Sequence, residues 1–269
     1  MSVPPSRIAV LLPCHNEAAS IANVVAAFNN ALPTATIYVY DNNSTDNTVK
    51  EALNAGAIVR HEPYQGKGNV VRRMFSDIEA DIYVMADGDE TYDPTVAPEL
   101  IRKLVEEHLD MVVGARVATD AQSFRSGHRW GNRFLTGLVK YLFGYGFEDM
   151  LSGYRIMSRK FVKAFPIHSR GFEIETEMSV HALQLQLPVA EVPAKYGVRP
   201  DDSQSKLRTY RDGFRILFTI IGLLTTERPR LFFGMIALLL TLFSFGLAIP
   251  IVHDYFPILG SKNPRLQAI

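Results

Sequence analysis

The sequence is nearly without cysteine. Cys14 is the single thiol in 269 residues, which excludes an intramolecular disulfide framework and suits a cytosolic setting for the folded part. Net charge is missing too. The 28 basic and 28 acidic side chains cancel, a balance that argues against a nucleic-acid binder held by a broad basic surface. No repeat or low-complexity segment is evident, and 47% apolar against 21% charged residues excludes a mostly disordered chain. There is no G-x-x-x-x-G-K-[ST] loop, and no G-x-G-x-x-G follows the first apolar run, so neither a Walker site nor a dinucleotide fingerprint is supported. That first run, 8–12, is too short for a signal peptide and is followed at once by Pro13, His15, Asn16 and Glu17.

Charge is also absent locally, from all of 231–252. As a helix this stretch is about 33 Å long, enough to cross a hydrocarbon core of roughly 30 Å. A buried core helix is the competing reading, but such helices seldom run so long without a polar face. Arg208, Arg211, Arg215, Arg228 and Arg230 precede the stretch and only Lys262 and Arg265 follow it. The positive-inside bias then keeps the N-terminal part on the cytoplasmic side of a cell membrane crossed once. The last segment, 253–269, reads as a tail too short and polar for another span. Ahead of the span, apolar residues recur at helical spacing over 207–224 (Leu207, Tyr210, Phe214, Leu217, Phe218, Ile221, Leu224) with Arg208, Arg211, Asp212 and Arg215 opposite. Such a helix, within 205–228, can lie at the interface against anionic head groups or simply pack on the domain.

The remainder, 1–204, reads as one cytosolic domain. Short apolar or β-branched runs at 8–12, 36–40, 57–61, 82–86 and 111–114 alternate with helical stretches near 17–30, 46–55, 67–79 and 95–108. That alternation indicates an α/β fold with a parallel, doubly wound sheet. Further on, helices are expected over 129–147 and 173–186 and a strand over 189–192. Ligands bind such sheets at the carboxyl ends of the strands, and there the polar clusters fall: Pro13 to Glu17, Asp41 to Asp46, and Asp87 to Glu90. For Ser44, Thr45 and Asp46, helix capping is an equally good reading.

Asp87 and Asp89 are the sharpest chemical signal. Two carboxylates around one glycine offer hard oxygen ligands to one Mg²⁺ or Mn²⁺, which completes its shell with water and substrate phosphates. Asp-Gly is also ordinary turn chemistry, so position after the fourth strand carries the weight. In Gly66-Lys67-Gly68, a lysine flanked by glycines at a helix start could meet a phosphate through its ammonium and free amides. Alternatively Lys67 is a solvated surface side chain.

The runs VLLPCHNEAASI, YVYDNNSTDNT, GKGNVVR and MADGDETYDP resemble the family 2 glycosyltransferases of GT-A fold over about the first 120 residues. VVGAR (112–116), SGYRIMSR (152–159) and the SKL triplet (205–207) resemble the subgroup that makes polyprenyl-phosphate sugars, including dolichyl-phosphate mannose synthases and undecaprenyl-phosphate glycosyltransferases. The resemblance implies roles. Pro13, Asn16 and Glu17 would hold the nucleoside, Glu17 at the ribose, and Asp41 would read base or ribose. Asp89 would be the direct metal ligand, with Asp87 nearer the ribose or a metal-bound water. Some members place a glutamine two positions after the second aspartate; here Thr91 stands there, and Glu90 is its neighbour.

The implied reaction moves a sugar, with inversion, from a UDP- or GDP-sugar to a membrane polyprenyl phosphate. A divalent cation stabilises the charge that accumulates on the departing nucleotide diphosphate, and Lys67 could add to it. A lipid phosphate is already anionic, so it needs cations around it rather than a strong base. Arg116, Arg133, Arg199 and Lys206 are the candidates, Arg being suited to bidentate phosphate contact. If the acceptor is instead a hydroxyl, Asp149 is the candidate base. A third reading is a catalytically silent, membrane-anchored nucleotide-sugar-binding protein. Oligomeric state stays open, since 231–252 could pack between subunits.

Overall fold

The computed structural model of the chain describes residues 6–118, 128–143, 147–199 and 209–262. The chain divides into two compact units, Met1–Ile220 and Ile221–Ile269. Among the described residues the first unit holds a seven-stranded sheet. Its strands are β1 (Ile8–Cys14), β2 (Thr36–Asp41), β3 (Ile58–His61), β4 (Ile82–Met85), β5 (Met111–Ala118), β6 (Arg155–Ser158) and β7 (Val189–Tyr196). Their spatial order is β3-β2-β1-β4-β6-β5-β7. β1 pairs in parallel with β2 and β4, and β2 with β3, while β5 and β7 are also parallel. Only β6, inserted between β4 and β5, runs antiparallel to its neighbours. The expected α/β, mostly parallel sheet is therefore present with one reversed strand.

β1 and β4 are apolar throughout because both faces are covered. Val10, Leu11 and Leu12 are fully buried, as are all four residues of β4. The covering helices are α1 (Ile21–Ala31), α2 (Thr48–Asn54), α3 (Lys67–Asp77) and α4 (Ala97–Glu106). On α1 the buried residues Ile21, Val24, Val25 and Phe28 follow the spacing of a single helical stripe. This helix begins four residues later than expected because 17–20 form a turn, with the amides of Ser20 and Ile21 both donating to the Glu17 carbonyl.

Beyond β5, α5 (His128–Phe143) and α7 (Ile174–Gln184) fall where helices were expected. β6 and α6 (Arg159–Ala164) were not expected, and Arg155 is the reason. An arginine inside a four-residue strand disguises the apolar run, yet this one is fully buried. Its Nη2 donates to the carbonyls of Met150 (2.6 Å) and Glu175 (3.0 Å) and to Ser179 Oγ (2.9 Å), and its Nε donates to the Ser152 carbonyl (3.0 Å). Burial brings the guanidinium down to about 10, still charged at neutral pH. β7 continues past the expected 192 and through Pro193, which an edge strand tolerates.

The chain continues as α8 (Thr209–Glu227), then α9 (Pro229–Lys262). In its first-unit portion α8 buries Ile216 and Ile220 but exposes Phe214 and Phe218, at 61% and 69%. In the second unit, α9 is long and apolar enough over Pro229–His253 to cross a membrane. The segment expected as a polar tail continues this helix as far as Lys262.

Candidate active site

Three loops leave the carboxyl ends of β1, β2 and β4 and are tied to one another. The Asn16 amide donates to Ser44 Oγ (2.9 Å), Asn16 Oδ1 accepts from the Thr45 amide (2.7 Å), and the Glu17 amide donates to Thr48 Oγ1 (2.8 Å). Asn16 adopts a left-handed conformation, φ 54°, to make this crossing. Asp46 accepts from the amides of Thr48 (2.9 Å) and Ala18 (3.1 Å). Ser44 and Thr45 thus bind loop to loop, and Asp46 joins the first loop to the start of α2, whose N-cap Asn47 makes no side-chain capping bond. From the other side, Ser20 Oγ donates to the Gly88 carbonyl at 2.8 Å. A side chain at Gly88 would put its Cβ 2.5 Å from Cys14 Sγ, so only glycine lets the acidic loop lie this close to β1.

Glu17 and Asp41 are buried at this edge, and Pro13 sits in β1 opposite Tyr40. Asp41 accepts from the Ser44 amide (3.2 Å) and lies 3.1 Å from His61 Nδ1. The neighbouring Asn42, not singled out from the sequence, does more. Its Nδ2 donates to the carbonyls of Glu62 (2.8 Å) and Tyr64 (2.9 Å), and its Oδ1 accepts from the Gly66 amide (2.7 Å). It thereby fixes the loop that delivers Lys67.

Lys67 is not a solvated lysine. Its Nζ lies 2.5 Å from Asp87 Oδ1 and 2.6 Å from Glu175 Oε1, and the side chain is 7% exposed. The flanking amides are not free for a phosphate either, since Gly66 donates to Asn42 and Gly68 to the Arg170 carbonyl. Gly66, at φ 128°, passes so close to that carbonyl that a Cβ would collide with it. Burial opposes the charge on Lys67, but Asp87 and Glu175 outweigh it and hold the ammonium well above its usual range. Burial also pushes the Glu175 carboxyl up, and Lys67 draws it back. The sequence does carry a signal for Glu175. Glu175 and Glu177 stand near the start of α7, and two positions apart they cannot share one solvent face.

Asp87 and Asp89 stand together at the end of β4. Burial works against the Asp87 charge, yet Lys67 prevails and holds its carboxyl below the ordinary range. Asp89 is 1% exposed, and burial together with the Asp87 charge pushes its carboxyl up despite Arg199. Its Oδ1 accepts from Thr91 Oγ1 (2.6 Å), so Thr91 orients Asp89. Asp89 Oδ2 is buried and forms an ion pair with Arg199 without an aligned hydrogen bond. Glu90 turns away at φ 63° toward Asn23 on α1.

Arg116 and Asp149 also meet, by a two-point fork of 2.7 Å on each arm, and the Arg116 amide donates to the same carboxylate at 3.0 Å. The guanidinium lies over the Tyr196 ring, 5.5 Å from its centroid. Arg116 and Arg199, expected as phosphate-binding cations, each hold a carboxylate in this structure, because buried like charges at this edge need the chain's own cations beside them. Asp149, read as a candidate base, has both oxygens on Arg116. The side chain of Arg133 and the whole of Lys206 lie outside the described residues.

The acidic loop, laced to buried cations, thus lies at the carboxyl edge of the sheet, where α/β folds bind their ligands. The chain belongs to glycosyl transferase family 2, whose family model matches residues 9–165, and it is a glycosyltransferase. The glycosyltransferase AglJ of Haloferax volcanii is 34% identical over 93% of this chain and 83% of its own length. A dolichyl-phosphate hexose transferase of the same organism is 25% identical over 83% of this chain and 96% of its own. The fold matches a crystal structure of glucosyl-3-phosphoglycerate synthase from Mycobacterium tuberculosis in complex with Mn²⁺, UDP and phosphoglyceric acid. That match has a TM-score of 0.64 at 23% identity, over 83% of this chain and 78% of that one.

Proposed function

We propose that the chain transfers a sugar from a UDP- or GDP-sugar, with inversion, to the phosphate of a membrane polyprenol. The carrying observation is the cluster at the end of β4. Three carboxylates, Asp87, Asp89 and Asp149, each hold a cation there (Lys67, Arg199 and Arg116 in turn), and further along the same chain an apolar helix is suited to a bilayer.

The residues fit a divalent cation. Asp87 and Asp89 supply two hard oxygens, and Asp89 Oδ2, buried and ion-paired with Arg199, makes no hydrogen bond. No cluster of three or more His, Cys, Asp or Glu suited to a metal occurs among the described residues, so diphosphate oxygens and water would complete the shell, as Mg²⁺ and Mn²⁺ commonly require. When bound, the cation would supply charge neutralisation for the departing diphosphate.

The chain's own groups account for the rest. Asn16, Glu17 and Asp41 line the nucleoside side of the edge. Arg116 and Arg199 offer guanidinium N–H groups to diphosphate and acceptor phosphate, and Asp149 keeps the Arg116 fork oriented. An acceptor phosphate oxygen attacks the anomeric carbon as its bond to the diphosphate breaks, and the electron pair leaves with the nucleotide. No proton need be removed, because the acceptor is already an anion. The dolichyl-phosphate hexose transferase relative supports this acceptor class. So do α9, as a single span with the first unit on the cytoplasmic side, and α8 with Phe214 and Phe218 in the interface.

Membranes carrying the full chain test the reading with a panel of radiolabelled UDP- and GDP-sugars. Label is expected in a mild-acid-labile lipid and lost with EDTA. Label entering only acid-stable products would overturn the acceptor.

A further inference from the structure

We propose that Glu175 is the alternate seat of Lys67, onto which the ammonium withdraws when Asp87 turns its charge toward a divalent cation. This inference rests on the reading of the acidic loop given above. One ammonium serves two carboxylates, 2.5 Å from Asp87 Oδ1 and 2.6 Å from Glu175 Oε1. The two are held differently. The Asp87 side chain is 29% exposed on a loop, whereas that of Glu175 is 5% exposed on α7. The Glu175 backbone is anchored as well, its carbonyl accepting from Arg155 Nη2 (3.0 Å) and Ser179 Oγ (2.8 Å).

Glu175 also has acceptor capacity in reserve. Its Oε2 is buried and has no hydrogen-bond partner among the described residues. Lysine carries three donors on a flexible stem. A small movement of Nζ toward Glu175 therefore releases Asp87 while leaving neither the ammonium nor Glu175 uncompensated. With Asp87 as its only partner, the same release would strand a buried charge, which is strongly unfavourable. Glu175 is thus a positioning residue that acts through Lys67 on the cation affinity of the acidic loop.

The test is calorimetric titration of Mn²⁺ into the full chain in detergent, with UDP in one series and GDP in another. Glu175→Gln is expected to weaken Mn²⁺ binding by about ten- to a hundredfold, the range for residues that orient metal ligands. Glu173→Gln removes a charge from the same turn, where Glu173 accepts from the amides of Arg170 (3.1 Å) and Gly171 (3.0 Å). It is expected to change binding by no more than about threefold. Equal losses in the two variants would mark a plain field effect and overturn the proposal, as would unchanged binding in Glu175→Gln. If that variant does not fold, Glu175→Asp decides, with partial weakening expected and no change counting against the proposal. A crystal structure with Mn²⁺ and nucleotide is expected to show Nζ on Glu175 and out of reach of Asp87; a retained Lys67–Asp87 bond overturns the seat. Failure of the wild-type chain to bind Mn²⁺ with either nucleotide would instead defeat the reading of the loop itself.

Discussion

Arg116 grips Asp149 through two parallel bonds of 2.7 Å, Nε to Oδ2 and Nη2 to Oδ1. A carboxylate so engaged orients a guanidinium and is poorly placed to take a proton. Asp149→Asn is therefore expected to raise the KM for polyprenyl phosphate, by about tenfold or more, while turnover at saturation survives in part. Were Asp149 the base for a hydroxyl acceptor, the variant would lose turnover outright at unchanged acceptor KM. Steady-state kinetics with lipid acceptor separates the two.

Gly88 lies against Cys14, where a Cβ would come within 2.5 Å of Sγ. Gly88→Ala is expected to cost about 1–3 kcal/mol through overpacking. The double variant Gly88→Ala, Cys14→Ala removes the obstructing sulfur and should recover much of the loss. Thermal melting of the wild type, the single variant and the double variant checks this, and an equally unstable double variant would contradict the packing account.

Arg155 satisfies three carbonyls from two segments, Met150 and Ser152 before β6 and Glu175 on α7. Arg155→Met removes the donor to all three, and although Ser179 Oγ still reaches the Met150 and Glu175 carbonyls, the Ser152 carbonyl loses its arginine partner, at a cost of about 1–3 kcal/mol for a buried group left unsatisfied. The variant is expected to unfold at markedly lower denaturant concentration than wild type and to lose activity in step with folding. A midpoint within error of wild type would show that the clamp adds nothing.

The apolar window Pro229–His253 makes a topological prediction. The full chain should stay with membranes through alkaline carbonate extraction. A cysteine introduced by Ser261→Cys should react with an impermeant thiol reagent from outside intact cells, while buried Cys14 stays unreactive. Release by carbonate, or labelling only after lysis, would contradict a single span with the first unit inside.

Much of the fold was legible because its central strands are buried on both faces. Val10, Leu11, Leu12 and the residues of β4 form short unbroken apolar runs of strand length, and acidic residues follow them. β6 was not legible because Arg155 reads as a surface residue, and only its bonds to carbonyls from elsewhere in the chain make it an interior one. For the same reason Lys67 read as a phosphate contact or a solvated side chain rather than as a buried ion-pair partner. Its partner Glu175 lies more than a hundred residues away, and pairing over such a distance leaves no local period to read. Asn42 was hidden among other polar loop residues, since its importance lies in the three backbone groups it holds.

The most direct measurement uses purified full chain, synthetic polyprenyl phosphate, Mn²⁺ and a panel of UDP- and GDP-hexoses, with mass spectrometry of the lipid. The account predicts a lipid heavier by one hexose with one donor, and no such product from Asp89→Asn at undiminished folding. An unmodified lipid under conditions where the wild-type chain is folded and binds nucleotide, or an active Asp89→Asn variant, would contradict it.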